Sequence, residues 1–67
     1  MNALERLERL VTEYKRLRRN QGNAMANHDF GARDMFSDQL HVVTRQLNEV
    51  MEETGTPLET VREMLRN

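Results

Sequence analysis

The chain has 67 residues, and its 10 Lys and Arg nearly balance its 11 Asp and Glu, which leaves a formal net charge of −1. This length allows one small domain, and the absence of cysteine excludes a disulfide framework, a thiolate metal site and a cysteine nucleophile. Apolar runs are short throughout, which predicts neither a membrane span nor a secretory signal. We expect a single helical domain over residues 1–67 in the cytoplasm, with no cofactor, membrane or small-molecule substrate.

The first predicted helix covers about residues 2–26. Asn2 followed by Glu5 resembles a capping box, which places its start near residue 2. Its apolar residues recur every three or four positions, as one face of a helix requires. They form two adjacent rows: Leu4, Leu7, Val11 and Tyr14, beside Ala3, Leu10, Leu17 and Ala24.

The end of this helix has two possible positions in the sequence. The helix could stop near Asn20 with Gly22 as its C-terminal glycine, or continue to about Ala26 and turn at Asn27, His28 and Asp29. A glycine inside the longer helix would cost roughly 1 kcal/mol. We favour the longer helix because it places basic residues of the first helix opposite acidic residues of the second and lets both apolar stripes be used along their whole length.

The second and third helices are predicted at about residues 29–54 and 57–66. The second stripe comprises Phe36, Leu40, Val43, Leu47 and Val50, and it ends at Thr54 and Gly55. Thr56, Pro57 and Glu59 are typical of a helix start, with Thr56 as the cap and Pro57 in the first turn. The apolar face of the third helix comprises Leu58, Val61, Met64 and Leu65.

The first two helices are therefore predicted to form a long antiparallel hairpin. A turn near residue 28 brings basic residues of the first helix opposite acidic residues of the second. The expected neighbours are Arg18 and Arg19 with Asp38 and Asp34, and Arg6 and Arg9 with Glu49, Glu52 and Glu53. The predicted fold is thus all-α, a helical hairpin with a short third helix.

The hairpin has more apolar surface than one partner helix covers, and a chain this short seldom assembles a sufficient core alone. We expect a homodimer in which two hairpins form a bundle of the four-helix type. The alternative is a different protein that covers the same surface. The sequence leaves open whether the third helix packs on its own hairpin.

Nothing in the sequence predicts catalysis. The string Asp29-Phe30-Gly31 lacks the surrounding elements of a protein kinase, so we expect a polar turn in which Phe30 folds onto the hairpin. His28 and His41 are too far apart on the predicted hairpin to form a metal site together. We expect no catalytic, cofactor-binding or metal-binding residue.

Apolar residues beyond the stripes indicate contact with other proteins. The candidate partner-binding residues are Met35, Val42, Met51, Leu58 and Met64. Flexible methionine side chains suit adaptable contact surfaces. We expect a small regulator, inhibitor or chaperone-like adaptor of a larger protein, of the size that phages and plasmids often encode. The co-chaperones of type III secretion needle subunits are similar in their hairpin plan.

A basic cluster offers an alternative function. Lys15, Arg16, Arg18 and Arg19 could neutralise several phosphates of a nucleic acid. In plan the chain resembles the small RNA-binding proteins of the Rop type, which are dimeric helical hairpins of about this size. That resemblance implies RNA binding by the basic face of the first helix. A third alternative is a structural spacer that binds nothing.

Overall fold

The computed structural model describes residues 2–66, which form three α-helices and no strand. Helix α1 covers Ala3–Ala26, α2 covers Phe30–Thr54 and α3 covers Leu58–Arg66. Helices α1 and α2 pack against each other as a hairpin. The longest dimension is 39 Å, close to the length of about 37 Å that a helix like α2 spans. The prediction of an all-α hairpin with a short third helix is confirmed.

The start of α1 uses the predicted cap. The side-chain oxygen of Asn2 accepts a hydrogen bond from the Glu5 backbone N–H at 2.8 Å. The Glu5 carboxylate accepts a longer bond of 3.4 Å from the Asn2 side-chain amide. In a standard capping box the carboxylate would bind the backbone N–H of the cap, so the second half of the box is made between side chains.

Helix α1 continues through Gly22 to Ala26, and the chain then turns with a residue in the left-handed conformation. That residue is His28, at φ 56°. The Asp29 N–H donates to the Ala24 carbonyl at 2.8 Å, and the His28 N–H donates to the Met25 carbonyl at 3.1 Å. These two bonds define a Schellman motif, in which glycine is the usual residue at the left-handed position.

Helix α2 ends in the same motif, with glycine in place. Gly55 has φ 67°. The Thr56 N–H donates to the Met51 carbonyl at 3.0 Å, and the Gly55 N–H donates to the Glu52 carbonyl at 3.4 Å. The predicted stop at Thr54 and Gly55 is therefore observed, and the positive φ favours glycine at this position.

The start of α3 differs from the predicted arrangement. Thr56 does not cap the helix, because its hydroxyl pairs with the hydroxyl of Thr54. The Thr54 hydroxyl also bonds the Val50 carbonyl at 2.9 Å, so this pair closes the end of α2 instead. The Pro57 carbonyl accepts a hydrogen bond from the Thr60 N–H at 3.1 Å, which places Pro57 at the N-cap position of α3.

The core is an apolar seam between α1 and α2, and α3 adds one buried residue, Val61, to it. Buried side chains come from all three helices, and no polar side chain is buried within residues 2–66. Half-buried residues, including Tyr14 and Phe36, pack against the seam as expected from their positions in the stripes. The seam comprises Leu7, Val11, Leu17, Leu40, Val43, Leu47, Val50 and Val61. Helix α3 therefore packs on its own hairpin.

One leucine of the first stripe, Leu4, lies outside this core with 61% of its surface exposed. Nearby, the guanidinium of Arg6 binds the Glu53 carboxylate at 3.2 Å, which marks the level at which α2 ends. Leu4 lies in the first turn of α1, about 120° around the helix from Leu10, and is therefore at the margin of the buried face.

Candidate protein-binding surface

Of the five candidate partner-binding residues, two pack against the core and three are exposed. Met51 and Met64 are half-buried and pack against the core. Met35, Val42 and Leu58 remain 49%, 44% and 51% exposed. Of the five candidates, only these three have apolar side chains that are largely exposed to other molecules.

The three exposed residues lie on two different faces of the hairpin. Leu58 borders an apolar groove where α3 meets α1 and α2, and Met51 forms part of its wall. The remaining lining comprises Tyr14, Thr44, Leu47, Asn48, Val61, Arg62 and Leu65. Met35 and Val42 are absent from this lining, and their positions on α2 place them on the opposite edge of that helix.

The opposite edge forms a stripe along α2 that alternates in steps of four and three residues. We call it the α2 edge; it comprises Met35, Gln39, Val42, Gln46 and Glu49. Gln46 and Glu49 border a shallow depression with Leu10 of α1, to which α3 contributes no residue. Gln46 is two residues from Asn48 of the α3 groove, which is about 200° around the helix. Helix α3 therefore covers one face of the hairpin and leaves the other open.

Two further exposed apolar side chains lie at the hairpin turn. Met25 is 53% exposed and Phe30 is 52% exposed. The prediction that Phe30 folds onto the hairpin is wrong. Its ring instead has the Arg33 guanidinium 4.8 Å from its centroid and is T-shaped to the His28 ring, with the two ring centroids 6.1 Å apart. Phe30 is the first residue of α2 and lies about 120° around that helix from Phe36, which packs against the seam.

Two residues of the basic cluster of α1, Arg16 and Arg18, bond to residues of their own helix. Arg16 forms a two-pronged ion pair with Glu13, and the Arg18 guanidinium donates to the Gln21 amide oxygen at 3.3 Å. The hydrogen bond from Arg16 lowers the pKa of the Glu13 carboxyl, against a smaller opposing effect of desolvation. The same bond raises the pKa of the Arg16 guanidinium. Arg16 and Arg18 are about 200° apart around α1, so the cluster does not form one continuous strip.

The expected neutralisation of Arg18 and Arg19 across the hairpin does not occur. Asp34 accepts hydrogen bonds from its neighbour Arg33 at 3.0 and 3.1 Å. Within residues 2–66 no ion pair joins Arg18 or Arg19 to Asp38. Asp34 and Asp38 follow the outer side of α2, away from the seam, where a carboxylate of α2 does not reach α1. Of the predicted pairs across the hairpin, the ion pair between Arg6 and Glu53 is formed.

The remaining polar residues serve local structure. Asp29 of the Asp-Phe-Gly string caps α2, and its carboxylate accepts the Ala32 N–H at 3.1 Å. The described part of the chain contains no group of three or more His, Cys, Asp or Glu placed to hold a metal ion. His28 lies in the turn and His41 is exposed on α2. None of the helices in residues 2–66 has the length and apolarity needed to cross a membrane.

These features define an all-α hairpin with one face covered by its own third helix and exposed apolar side chains on both faces. Comparison of the chain with protein-family models, with curated proteins and with solved structures found no match.

Proposed function

We propose that this chain is a small, non-enzymatic protein-binding regulator, inhibitor or chaperone-like adaptor that acts through the surface of its helical hairpin. It binds a larger protein in the cytoplasm and pairs with a second copy of itself. Its size is typical of the accessory proteins that phages and plasmids encode. The observation that carries this proposal is the exposure of large apolar side chains outside a formed core, among them Leu58 at 51% and Met35 at 49%.

The position of Leu58 supports contact with a larger protein. Its side chain borders the groove between α3 and the hairpin, where leucine and valine side chains form the floor. Met51 in the groove wall has the flexible thioether that adapts to different contact shapes. A helix of another protein that buries one leucine in such a groove would add about 1.5–3 kcal/mol of favourable burial.

The thin core supports self-association. The buried side chains of residues 2–66 are Leu, Val and one Ala, with no buried aromatic ring. Two helices and a short third one leave one face of the hairpin uncovered. A second hairpin on that face would form a bundle of the four-helix type, and association is how small chains commonly gain stability.

The proposed protein contact is tested by affinity capture with the tagged chain from lysate of its native host, with Leu58→Asp and Leu4→Asp as a matched pair. Both leucines lie in the first turn of a helix and both are more than half exposed. Either substitution therefore leaves the core unchanged. We expect one protein at near-stoichiometric yield with the wild type and with Leu4→Asp, insensitive to nuclease, and its loss with Leu58→Asp.

Three outcomes would contradict the proposal in different ways. Equal recovery with both variants would exclude the α3 groove as the contact. Recovery of no protein would contradict the proposal that the chain binds a larger protein. Recovery of nucleic acid that nuclease destroys would favour the alternative function.

That alternative is Rop-like binding of RNA by a dimer through Lys15, Arg16, Arg18 and Arg19. One observation favours it: Arg18 and Arg19 form no ion pair with a carboxylate within the described residues. Titration of a labelled RNA hairpin should then show an affinity that falls steeply with salt and is lost in the double variant Arg18→Glu and Arg19→Glu. Absence of binding at low salt would exclude this function.

A further inference from the structure

The α2 edge lies on the face that α3 leaves open. The charges along its flank are self-complementary: an acid lies before the centre of the edge and a base lies after it. Val42, 44% exposed, lies at this centre. Asp38 precedes Val42 by four residues and Arg45 follows it by three. Both charged side chains are exposed, and within residues 2–66 neither forms an ion pair.

Asp38 and Arg45 lie on the same side of the α2 edge. They are seven residues apart, which is two turns of a helix, so they project from the same flank. Gln39 and Gln46 are also seven residues apart and enclose Val42 in the same way. The edge therefore has an apolar centre with an amide before and after it, and along one flank an acid precedes this centre and a base follows it.

We propose that two copies of this chain pair through the α2 edge, with their α2 helices antiparallel about a two-fold axis at Val42. This inference rests on the self-association in the proposed function and names its surface and geometry. In this arrangement, residues at about equal distances before and after Val42 lie near each other. Val42 meets Val42 of the second copy. Asp38, four residues before Val42, lies beside Arg45 of the second copy, three residues after it, with an offset of one residue, about 1.5 Å, along the helix axes. This pair occurs twice by symmetry.

The antiparallel direction follows from the positions of the two charges. In an antiparallel pair, a given flank of one helix faces the same flank of the other. An acid and a base on that flank therefore each face the opposite charge of the second copy. In a parallel pair the flank with Asp38 and Arg45 would face the opposite flank of the second helix, and the two charges would not meet. A second copy supplies both complementary charges at the matching separation, which makes it the occupant that this edge fits.

The test is a charge exchange followed by sedimentation equilibrium. Asp38→Arg gives a chain with two bases on the flank, and Arg45→Asp gives a chain with two acids. We expect each single variant to dimerise at least about tenfold more weakly than the wild type, because two attractive pairs become two repulsive ones. We expect the double variant to regain wild-type dimerisation. An equimolar mixture of the single variants should form a heterodimer.

A control variant separates this contact from a general effect of charge. Glu8→Arg makes the same change of charge as Asp38→Arg on an exposed position of α1. We expect it to leave dimerisation unchanged. Equal weakening by Glu8→Arg, or single variants that fail to combine in the mixture, would overturn the proposed pairing.

Cysteine cross-linking tests the position of the two-fold axis. The chain contains no cysteine, so an introduced one has only its copy as a partner. Val42→Cys should form a disulfide-linked dimer rapidly under a mild oxidant, because the axis brings the two side chains together. Met35→Cys, equally exposed but two turns away, should cross-link much more slowly.

The outcomes distinguish this proposal from the function it rests on. A wild type that dimerises while none of these variants has an effect would place the self-contact elsewhere and leave the proposed function intact. A wild type that stays a single chain at every concentration would overturn both the pairing and the self-association. Binding of a larger protein would still be decided by the Leu58 variant.

Discussion

The guanidinium of Arg6 lies 3.2 Å from the Glu53 carboxylate and joins the first turns of α1 to the last turn of α2. These residues are 47 positions apart, and their contact occurs in the register at which Leu7 and Val50 are both buried in the seam. The ion pair is half exposed, so it identifies the register more than it stabilises the fold.

We expect this pair to contribute only about 0.2–1 kcal/mol. A double-mutant cycle with Arg6→Ala and Glu53→Ala, measured by urea unfolding, should give a coupling free energy in that range that falls as salt is raised. A coupling of several kcal/mol that is insensitive to salt would mean that the contact is part of the packed core.

The same glycine substitution should have opposite effects at two positions. Gly22 lies inside α1, and a Cβ there meets no atom within 4 Å, so Gly22→Ala should stabilise the fold by about 0.5–1 kcal/mol. Gly55 has φ 67°, so Gly55→Ala should destabilise it by about 1 kcal/mol. Thermal unfolding of both variants checks this pair, and a shift in the same direction for both would contradict it.

His28 occupies the left-handed position that glycine occupies at the end of α2. Replacing it removes the steric cost of a Cβ there, of about 1–2 kcal/mol, while adding the greater flexibility of glycine in the unfolded chain. We therefore expect His28→Gly to raise the free energy of unfolding by about 0.5 kcal/mol. Urea denaturation provides the measurement. A clear loss of stability would show that the contact of the His28 ring with Phe30 outweighs the strain.

The core should be sensitive to a single truncation. Leu17 is 1% exposed, and Leu17→Ala should cost about 2–5 kcal/mol. A chain of this size rarely has more than about 3–5 kcal/mol in total, so this variant should be largely unfolded by circular dichroism. Leu4→Ala, at a position 61% exposed, is the matched control and should remain folded. A folded Leu17→Ala variant would contradict the assignment of Leu17 to the stabilising core.

The ion pair of Glu13 with Arg16 predicts a small dependence of stability on pH. The hydrogen bond from Arg16 lowers the pKa of Glu13 in the folded chain, so its stabilisation is complete above the unfolded pKa of about 4.3. It is lost as the pH falls through the folded pKa. Glu13→Gln should therefore be less stable than the wild type at pH 7, by less than about 0.5 kcal/mol. Urea unfolding at low pH should show the two equal; a difference that persists there would contradict this cause.

Much of the fold is predictable because it depends on local rules. The spacing of Phe36, Leu40 and Val43 defines the buried face of α2 without reference to any other element. Gly55 ends that helix because few other residues adopt a positive φ. The hairpin register follows from matching two stripes of equal length, and the contact of Arg6 with Glu53 agrees with it.

The individual side-chain contacts were less predictable because several partners compete for each group. Arg16 and Arg18 bind residues three positions away on their own helix, since these are already within reach before the hairpin closes. Thr56 bonds Thr54 instead of capping α3. Leu4 and Phe30 are both exposed in the first turn of a helix, and apolar spacing alone does not show how much of a helix end its neighbours cover.

The candidate binding site was only partly predictable for a related reason. Apolar spacing indicates that a residue lies beside the core stripe, but both half-buried Met51 and exposed Val42 satisfy that description. The two differ because α3 lies over the groove that Met51 lines and leaves the opposite edge of α2 open. That placement follows from the packing of all three helices together.

The central claim is that the α2 edge is the contact between two copies of this chain. A dilution series of the wild-type chain, followed by backbone amide resonances in NMR spectra, tests it most directly. We predict that signals from about residue 35 to residue 49 shift with concentration, while those of α3 remain unchanged. Resonances that stay constant along the whole of α2 from micromolar to millimolar concentration would contradict it.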